Sequence, residues 1–197
     1  AIKEILETFG CDVVFTPDQN IIFSHLKESD KSILESILKK WMIKAPQDLS
    51  FLDKKFMTCV ALPSCGKALA EAERVREPLL KKIEGKWLAY FPKNKKLSLR
   101  LVGCPNGCAR PYACEIGLVG RLPGVYSLYL GGNWEGTRLN KQIFEKITFN
   151  EIANVLDTLF KFYAESLKPN ELFGDFCHRS GPEVLRTIVL NHFPKLI

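Results

Sequence analysis

No apolar run in this chain approaches the roughly 18 residues that a membrane-spanning helix needs, and the first residues lack the basic-then-apolar layout of a secretory signal. Both absences point to an intracellular, cytoplasmic protein with no membrane partner. The dense, even cysteine framework of a small secreted domain is missing too. Seven cysteines in 197 residues is an odd and sparse count, which turns the thiols toward metal or redox chemistry and away from structural bridges. Histidine is scarce, and none of His25, His178 and His192 has a local partner at ligand spacing. There is no internal repeat and no low-complexity tract. The chain opens Ala1-Ile2-Lys3-Glu4, without methionine and already in a helical pattern, as a piece of a longer polypeptide would.

What is present suits a folded protein of one large or two small domains, with 46% hydrophobic residues to supply a core. The net charge of +6 is spread along the chain, densest at Lys93-Asn94-Lys95-Lys96. Charge so dispersed is mostly solvated surface; it suits an anionic ligand and singles out no nucleic-acid site.

Ile2, Ile5, Leu6 and Phe9 fall at helical spacing and Gly10 stops the run. Strands are expected at Asp12–Phe15 and Asn20–Phe23 around a Thr16-Pro17-Asp18 turn, then a helix capped by Asp30 with Ile33, Leu34, Ile37, Leu38 and Trp41 on one face. Such a unit is too small to bury both faces of its sheet. A connector at Ala45–Ser50 places a boundary between residues 1–45 and 46–197. Beyond it, Ala68, Leu69, Ala72, Val75 and Leu79 predict a helix from Cys65, kinked or restarted at Pro78. Strands are expected over Leu97–Val102, Glu115–Val119 and Tyr126–Leu130. Thr148 and Glu151 have the spacing of a capping box, ahead of a helical face of Ile152, Val155, Leu156, Leu159, Phe160 and Tyr163 that reads as core. Phe173–Gly181 reads as a loop or strand, and Pro182 as the first turn of a closing helix. The class is α+β.

Two thiol pairs carry the chemistry. Cys104 and Cys108 lie four positions apart on a backbone bent by Pro105 and Gly107, and Cys59 and Cys65 form a second pair upstream. Four thiolates in two pairs suit a cubane iron–sulfur cluster. They also suit a structural zinc, although the five-residue gap between Cys59 and Cys65 exceeds the usual spacing of a zinc knuckle. Four buried, unligated thiols are the third reading. Glycines at 103 and 107 let backbone amides approach sulfur, where such bonds tune a cluster. Arg110, Arg121, Arg138 and Lys141 follow closely and would suit an anionic cofactor or simply a charged surface. Cys11, Cys114 and Cys177 read as free thiols.

Thr58-Cys-Val-Ala-Leu-Pro-Ser-Cys-Gly-Lys-Ala-Leu-Ala-Glu-Ala-Glu-Arg74, Gly103-Cys-Pro-Asn-Gly-Cys-Ala-Arg-Pro-Tyr112, Glu115-Ile-Gly-Leu-Val-Gly120, Tyr129-Leu-Gly-Gly-Asn133 and Phe173-Gly-Asp-Phe176 occur in this order. Together they resemble the C-terminal half of the sirohaem-containing sulfite reductase haemoproteins, within the wider nitrite and sulfite reductase 4Fe-4S domain family. The Leu-Pro-Ser-Cys and Ala-Glu-Ala-Glu-Arg stretches are more similar to the sulfite branch than to the nitrite branch. Leu130-Gly-Gly-Asn-Trp-Glu-Gly-Thr-Arg138 is similar to the NADPH-linked beta component, whose electrons come from a flavoprotein.

The resemblance implies a mixed sirohaem and [4Fe-4S] domain preceded by half of a split ferredoxin-like unit. It implies that Cys59, Cys65, Cys104 and Cys108 bind the cluster, and that Cys108 also bridges to the sirohaem iron and is the catalytic centre's protein ligand. Asn106 and Arg110 join Cys108 as cofactor contacts, although a Pro-Asn-Gly turn would by itself account for Asn106. The implied reaction is the six-electron reduction of sulfite to sulfide in sulfur assimilation and cysteine biosynthesis; sirohaem nitrite reduction and a zinc-stabilised, non-catalytic module are the alternatives. Val102 departs from the threonine often found before this loop, removing a hydroxyl from the cofactor environment. In the family a set of arginines and lysines from the N-terminal half holds sulfite and the sirohaem carboxylates, and that half is absent here. A chain of this extent is therefore expected to hold the cluster fold without turning sulfite over well.

Overall fold

A computed structural model describes residues 1–91 and 95–196. Lys93 and Asn94 of the basic run lie outside the described residues. The chain divides into two compact units, Ala1–Lys54 and Lys55–Ile197, nine residues later than the connector suggests. Two 3-10 turns, Pro46–Asp48 and Asp53–Lys55, occupy the intervening stretch, and Asp48 accepts the Ala45 N–H at 3.2 Å.

The first unit is α1 (Ile2–Phe9), a hairpin of β1 (Asp12–Phe15) and β2 (Ile21–Ser24), and α2 (Lys31–Lys40). Gly10 ends α1 at φ 60, a left-handed backbone that glycine adopts without Cβ strain. Ile5, Cys11 and Ile37 form the core, lined by Phe9, Phe23, Leu34 and Leu38. Asp30 works one turn earlier than expected, accepting the Lys27 N–H at 2.8 Å within a 3-10 turn. Trp41 is half exposed, its indole N–H donating to Glu4 at 2.6 Å, and Ile33 is exposed as well. Val14, Phe15, Ile21 and Ile22 remain exposed on the hairpin.

The second unit is built on a five-stranded sheet ordered β3 (Phe56–Thr58), β4 (Leu99–Val102), β5 (Ile116–Leu122), β6 (Val125–Leu130) and β7 (Lys141–Thr148). The first two pairings are parallel and the last two antiparallel. Alternation along the strands separates two faces. On one lie Leu101, Leu118 and Leu128 with Tyr126, whose ring meets Phe149 of α4 (Phe149–Glu165). Here α3 (Glu73–Tyr90) packs with α4 through Trp87 and Phe160, ring centroids 4.9 Å apart. Tyr163 continues this aromatic core to Phe173 and Phe176 of α5 (Phe173–Ser180), and α6 (Pro182–His192) closes the chain. On the other face Met57, Val102, Ala109 and Val119 cluster beneath the cysteine loop.

Two sequence expectations fail here for physical reasons. Residues 65–72 are turns rather than helix, because their N–H groups bond across to another loop instead of along the chain: Leu69 and Ala70 both donate to the Gly103 carbonyl. Helix α3 begins only at Glu73 and runs through Pro78. Phe173–Ser180 is a helix, in which Phe173, Phe176 and Cys177 bury one face at helical spacing. Gly174 is there because a Cβ would strike the Gly132 carbonyl, so it marks close packing and not a break.

Candidate functional site

Register places the first thiols. Thr58 of β3 stands opposite Leu101 of β4 in a parallel pair, so both strands end on the same side and deliver Cys59 and Gly103-Cys104 together. Ligands of parallel sheets gather beyond such carboxyl ends. The ladder extends one step, Cys59 N–H donating to the Leu101 carbonyl at 3.3 Å, and Gly103 N–H then donates to the Cys59 sulfur at 3.3 Å. Leu69 and Ala70 N–H return to the Gly103 carbonyl at 2.8 and 3.0 Å, fastening the loop that carries Cys65.

Gly103 is the crossing point. A Cβ there would lie 2.6 Å from Ala61 Cβ and 2.7 Å from the Ala70 carbonyl. Gly120 of β5 is equally constrained, since its Cβ would strike the Gly103 carbonyl, and a Cβ on Gly117 would strike that of Pro111. Bare backbone at these positions lets both cysteine loops lie directly on the strands.

From Cys104 the chain turns back across the sheet face. Gly107, at φ 69, and Arg110, at φ 54, supply left-handed bends, and Arg110 N–H donates to the Gly107 carbonyl at 2.7 Å. Tyr112 braces the tip, its hydroxyl donating to the Pro105 carbonyl at 3.2 Å. Cys104 is buried, Cys59 and Cys65 are half-buried, and Cys108 is exposed with Asn106 and Arg110 beside it. Among the described residues no three His, Cys, Asp or Glu side chains converge as ligands of a single ion.

The donor set fits an iron–sulfur cluster. Two loops carry two thiols each, and a backbone amide is already aimed at one of the sulfurs where the loops cross too closely for a Cβ at Gly103. A tetrahedral zinc draws its sulfurs to about 2.3 Å from one point, whereas a cubane takes one sulfur at each of four separate irons and holds them further apart.

Lys141 is exposed at the start of β7, whereas Arg121 and Arg138 are used internally. Arg121 donates to Ser127 Oγ at 2.7 Å and to the Tyr129 hydroxyl at 3.2 Å; Arg138 donates to the Gly131 carbonyl at 2.8 Å and pairs with Asp175 at 2.7 Å. Arg100 donates to the Arg110 carbonyl at 3.0 Å, and Arg110 Nη2 lies 4.0 Å from Met57 Sδ. Cys114 is fully buried and donates to the Ile116 carbonyl at 3.0 Å; burial pushes its thiol up to about 12, and that of Cys177 well above the usual range. Both stay protonated at neutral pH. Tyr112 and Glu115, at the ends of two of the quoted motifs, carry much of the local bonding together with Asn140, which lies in none of them.

The comparisons bear on this geometry. The family model "Nitrite and sulphite reductase 4Fe-4S domain" matches residues 54–196. The chain is 45% identical over 166 residues to the sulfite reductase [NADPH] hemoprotein beta-component of Nitrobacter winogradskyi, covering 84% of this chain and 29% of that protein. It is 42% identical over 178 residues to the same component of Nitrosomonas europaea, covering 90% and 31%. It thus spans about three tenths of the length of these relatives. A solved structure described as the Mycobacterium tuberculosis NirA protein superposes with a TM-score of 0.77 at 20% identity, over 94% of this chain and 36% of that one, which establishes the likeness of fold. The thiol pairs, the sheet that delivers them and the family match agree: the chain belongs to the nitrite and sulphite reductase 4Fe-4S domain family.

Proposed function

We propose that this chain is the C-terminal redox domain of an assimilatory, NADPH-linked sulfite reductase haemoprotein. In this reading residues 46–197 hold the cofactors and residues 1–45 are half of a split ferredoxin-like unit. Cys59, Cys65, Cys104 and Cys108 hold a [4Fe-4S] cluster, and Cys108 also ligates a sirohaem. The observation that carries the reading is the delivery of Cys59 and Cys104, one thiol from each pair, to one end of the parallel strands β3 and β4, with Gly103 N–H on the Cys59 sulfur. The names of the relatives favour sulfite over nitrite and NADPH as the source of electrons; a flavoprotein that passes them on is part of this reading.

When bound, the two cofactors would relay, one at a time, the six electrons drawn from NADPH that, with protons, take sulfite to sulfide. The chain's own part is to hold and insulate. Cys104 sits buried at the inner end of the loop, and Cys108 stands at the exposed outer end, where its thiol would be accessible to a bound cofactor. Asn106 and Arg110 share that outward side and can bond a carboxylate-bearing macrocycle. The Gly103 amide lowers electron density on its sulfur, a handle on cluster potential. Among the described residues no helix is long and apolar enough to cross a membrane. The assimilatory role proposed here places the protein in the cytoplasm.

Iron and acid-labile sulfide analysis tests the assignment. About four of each per chain is expected, and one zinc in their place would reject it. Cys108→Ser should lose the cluster, whereas Cys114→Ser and Cys177→Ser should keep their iron; loss of iron from either of the last two would mean that the wrong thiols were paired.

A further inference from the structure

Asn140 precedes β7 and is buried, far in sequence from the cysteine loop, yet three of its bonds go to the end of that loop. Its backbone N–H donates to the Tyr112 carbonyl at 2.9 Å, and its side-chain amide donates to the carbonyls of Pro111 at 2.7 Å and Cys114 at 3.0 Å. The amide oxygen is buried with no partner. Turning the amide over would set that oxygen against two carbonyls, so the network fixes its orientation. The side chain is thus kept in place for its two N–H donors, at the cost of an unsatisfied acceptor.

These bonds flank Tyr112 on both sides, and Tyr112 is what reaches the loop tip. Its hydroxyl holds the Pro105 carbonyl, and its ring lies against Gly107, where an added Cβ would come within 3.2 Å of it. The opposite edge is set by Tyr129, whose ring meets that of Tyr112 edge-on at 5.1 Å. Pro105 and Gly107 lie between the two cysteines of the loop. We propose that Asn140 is a positioning residue for Cys104 and Cys108, acting through Tyr112. Its significance for the cofactors rests on the cluster assignment above; its effect on the loop does not.

The experiment reads the loop directly. The full chain, stripped of iron by chelation under reducing conditions, is treated with iodoacetamide, and alkylation is followed at each cysteine by mass spectrometry. Buried Cys104 reports loop opening, while buried Cys177 and Cys11, neither of them bonded to Asn140, serve as internal references. Asn140→Ala should speed alkylation of Cys104 by about fivefold or more, the size expected from losing a buried hydrogen bond, with Cys177 unchanged. Asn140→Asp keeps the volume but faces two carbonyls with oxygen, so it should open the loop more than Asn140→Ala. A role in packing alone predicts the reverse order and would overturn the proposal.

Tyr112→Phe removes only a hydroxyl and should also expose Cys104. Combined with Asn140→Ala it should add little, as two members of one chain of contacts do. Additive effects, or an unchanged Cys104 in folded Tyr112→Phe, would equally refute it. If Asn140→Ala unfolds, all seven cysteines react and Tyr112→Phe decides alone. Iron content of the unmodified protein reports separately on the cluster, so failure of that assignment is told apart from failure of this one.

Discussion

Glu115 is fully buried just before β5, where it accepts Gly174 N–H at 3.0 Å, Ser98 N–H at 2.8 Å and the Ser98 hydroxyl at 3.2 Å. Burial disfavours the charge more than these three bonds favour it, and the carboxyl is pushed up from 4.5 to about 7. The folded state therefore holds this proton more tightly than the unfolded chain does. The resulting stabilisation is complete below about pH 4.5 and is lost as pH rises through about 7. At about 1.4 kcal/mol for each pH unit between the two values, the loss is on the order of 3 kcal/mol. Urea midpoints of the unmodified protein should fall between pH 5 and pH 8, and Glu115→Gln should remove most of that slope. Parallel pH profiles for the two proteins would assign the titration to another group.

At the scale of elements, α4 offers the cleanest local test, because its start is written in four residues. Thr148 N–H and hydroxyl both donate to the Glu151 carboxylate, at 2.8 and 2.6 Å, which closes the first turn of a helix that buries Leu156, Leu159 and Tyr163. Thr148→Ala should lower unfolding stability by about 1 kcal/mol and leave iron content unchanged. A loss below about 0.3 kcal/mol would mean that tertiary packing alone sets this helix start. Capping boxes, glycine stops and alternating strands are local codes, and so α1, α4, α6, β4, β5 and β6 were legible in the sequence. Residues 65–72 were not, since their apolar spacing imitates a helix while their N–H groups serve Gly103 across the sheet. Nor was α5, where Gly174 reads as a breaker until Gly132 and Glu115 are seen against it. The two cysteine loops were legible through their spacing and family likeness, and strands β3 and β4 bring Cys59 and Cys104 to the same side. Asn140 was not, because its partners lie 26 and 29 positions away and carry no pattern.

For the whole molecule, the question is whether a chain spanning about three tenths of its relatives' length can turn sulfite over. Sulfite is a dianion at alkaline pH, and holding it in a dry site needs several cations aimed at its oxygens. Three cations around the cysteine loop already have internal work: Arg121 serves Ser127 and Tyr129, Arg138 serves Asp175 and two glycine carbonyls, and Arg100 serves the Arg110 carbonyl. Redirecting any of them would break bonds that hold β5, β6 or the loop itself. Supplied with a strong artificial electron donor, the chain should therefore reduce sulfite at least about a hundredfold more slowly than a full-length relative, the scale on which losing a charge-stabilising donor acts. Binding should fail together with turnover, so raising sulfite should not restore the rate. A rate within about tenfold of the full-length enzyme would instead mean that Arg110 and its neighbours on the outward side of the loop suffice to grip the substrate, and the site would have to be redrawn around them.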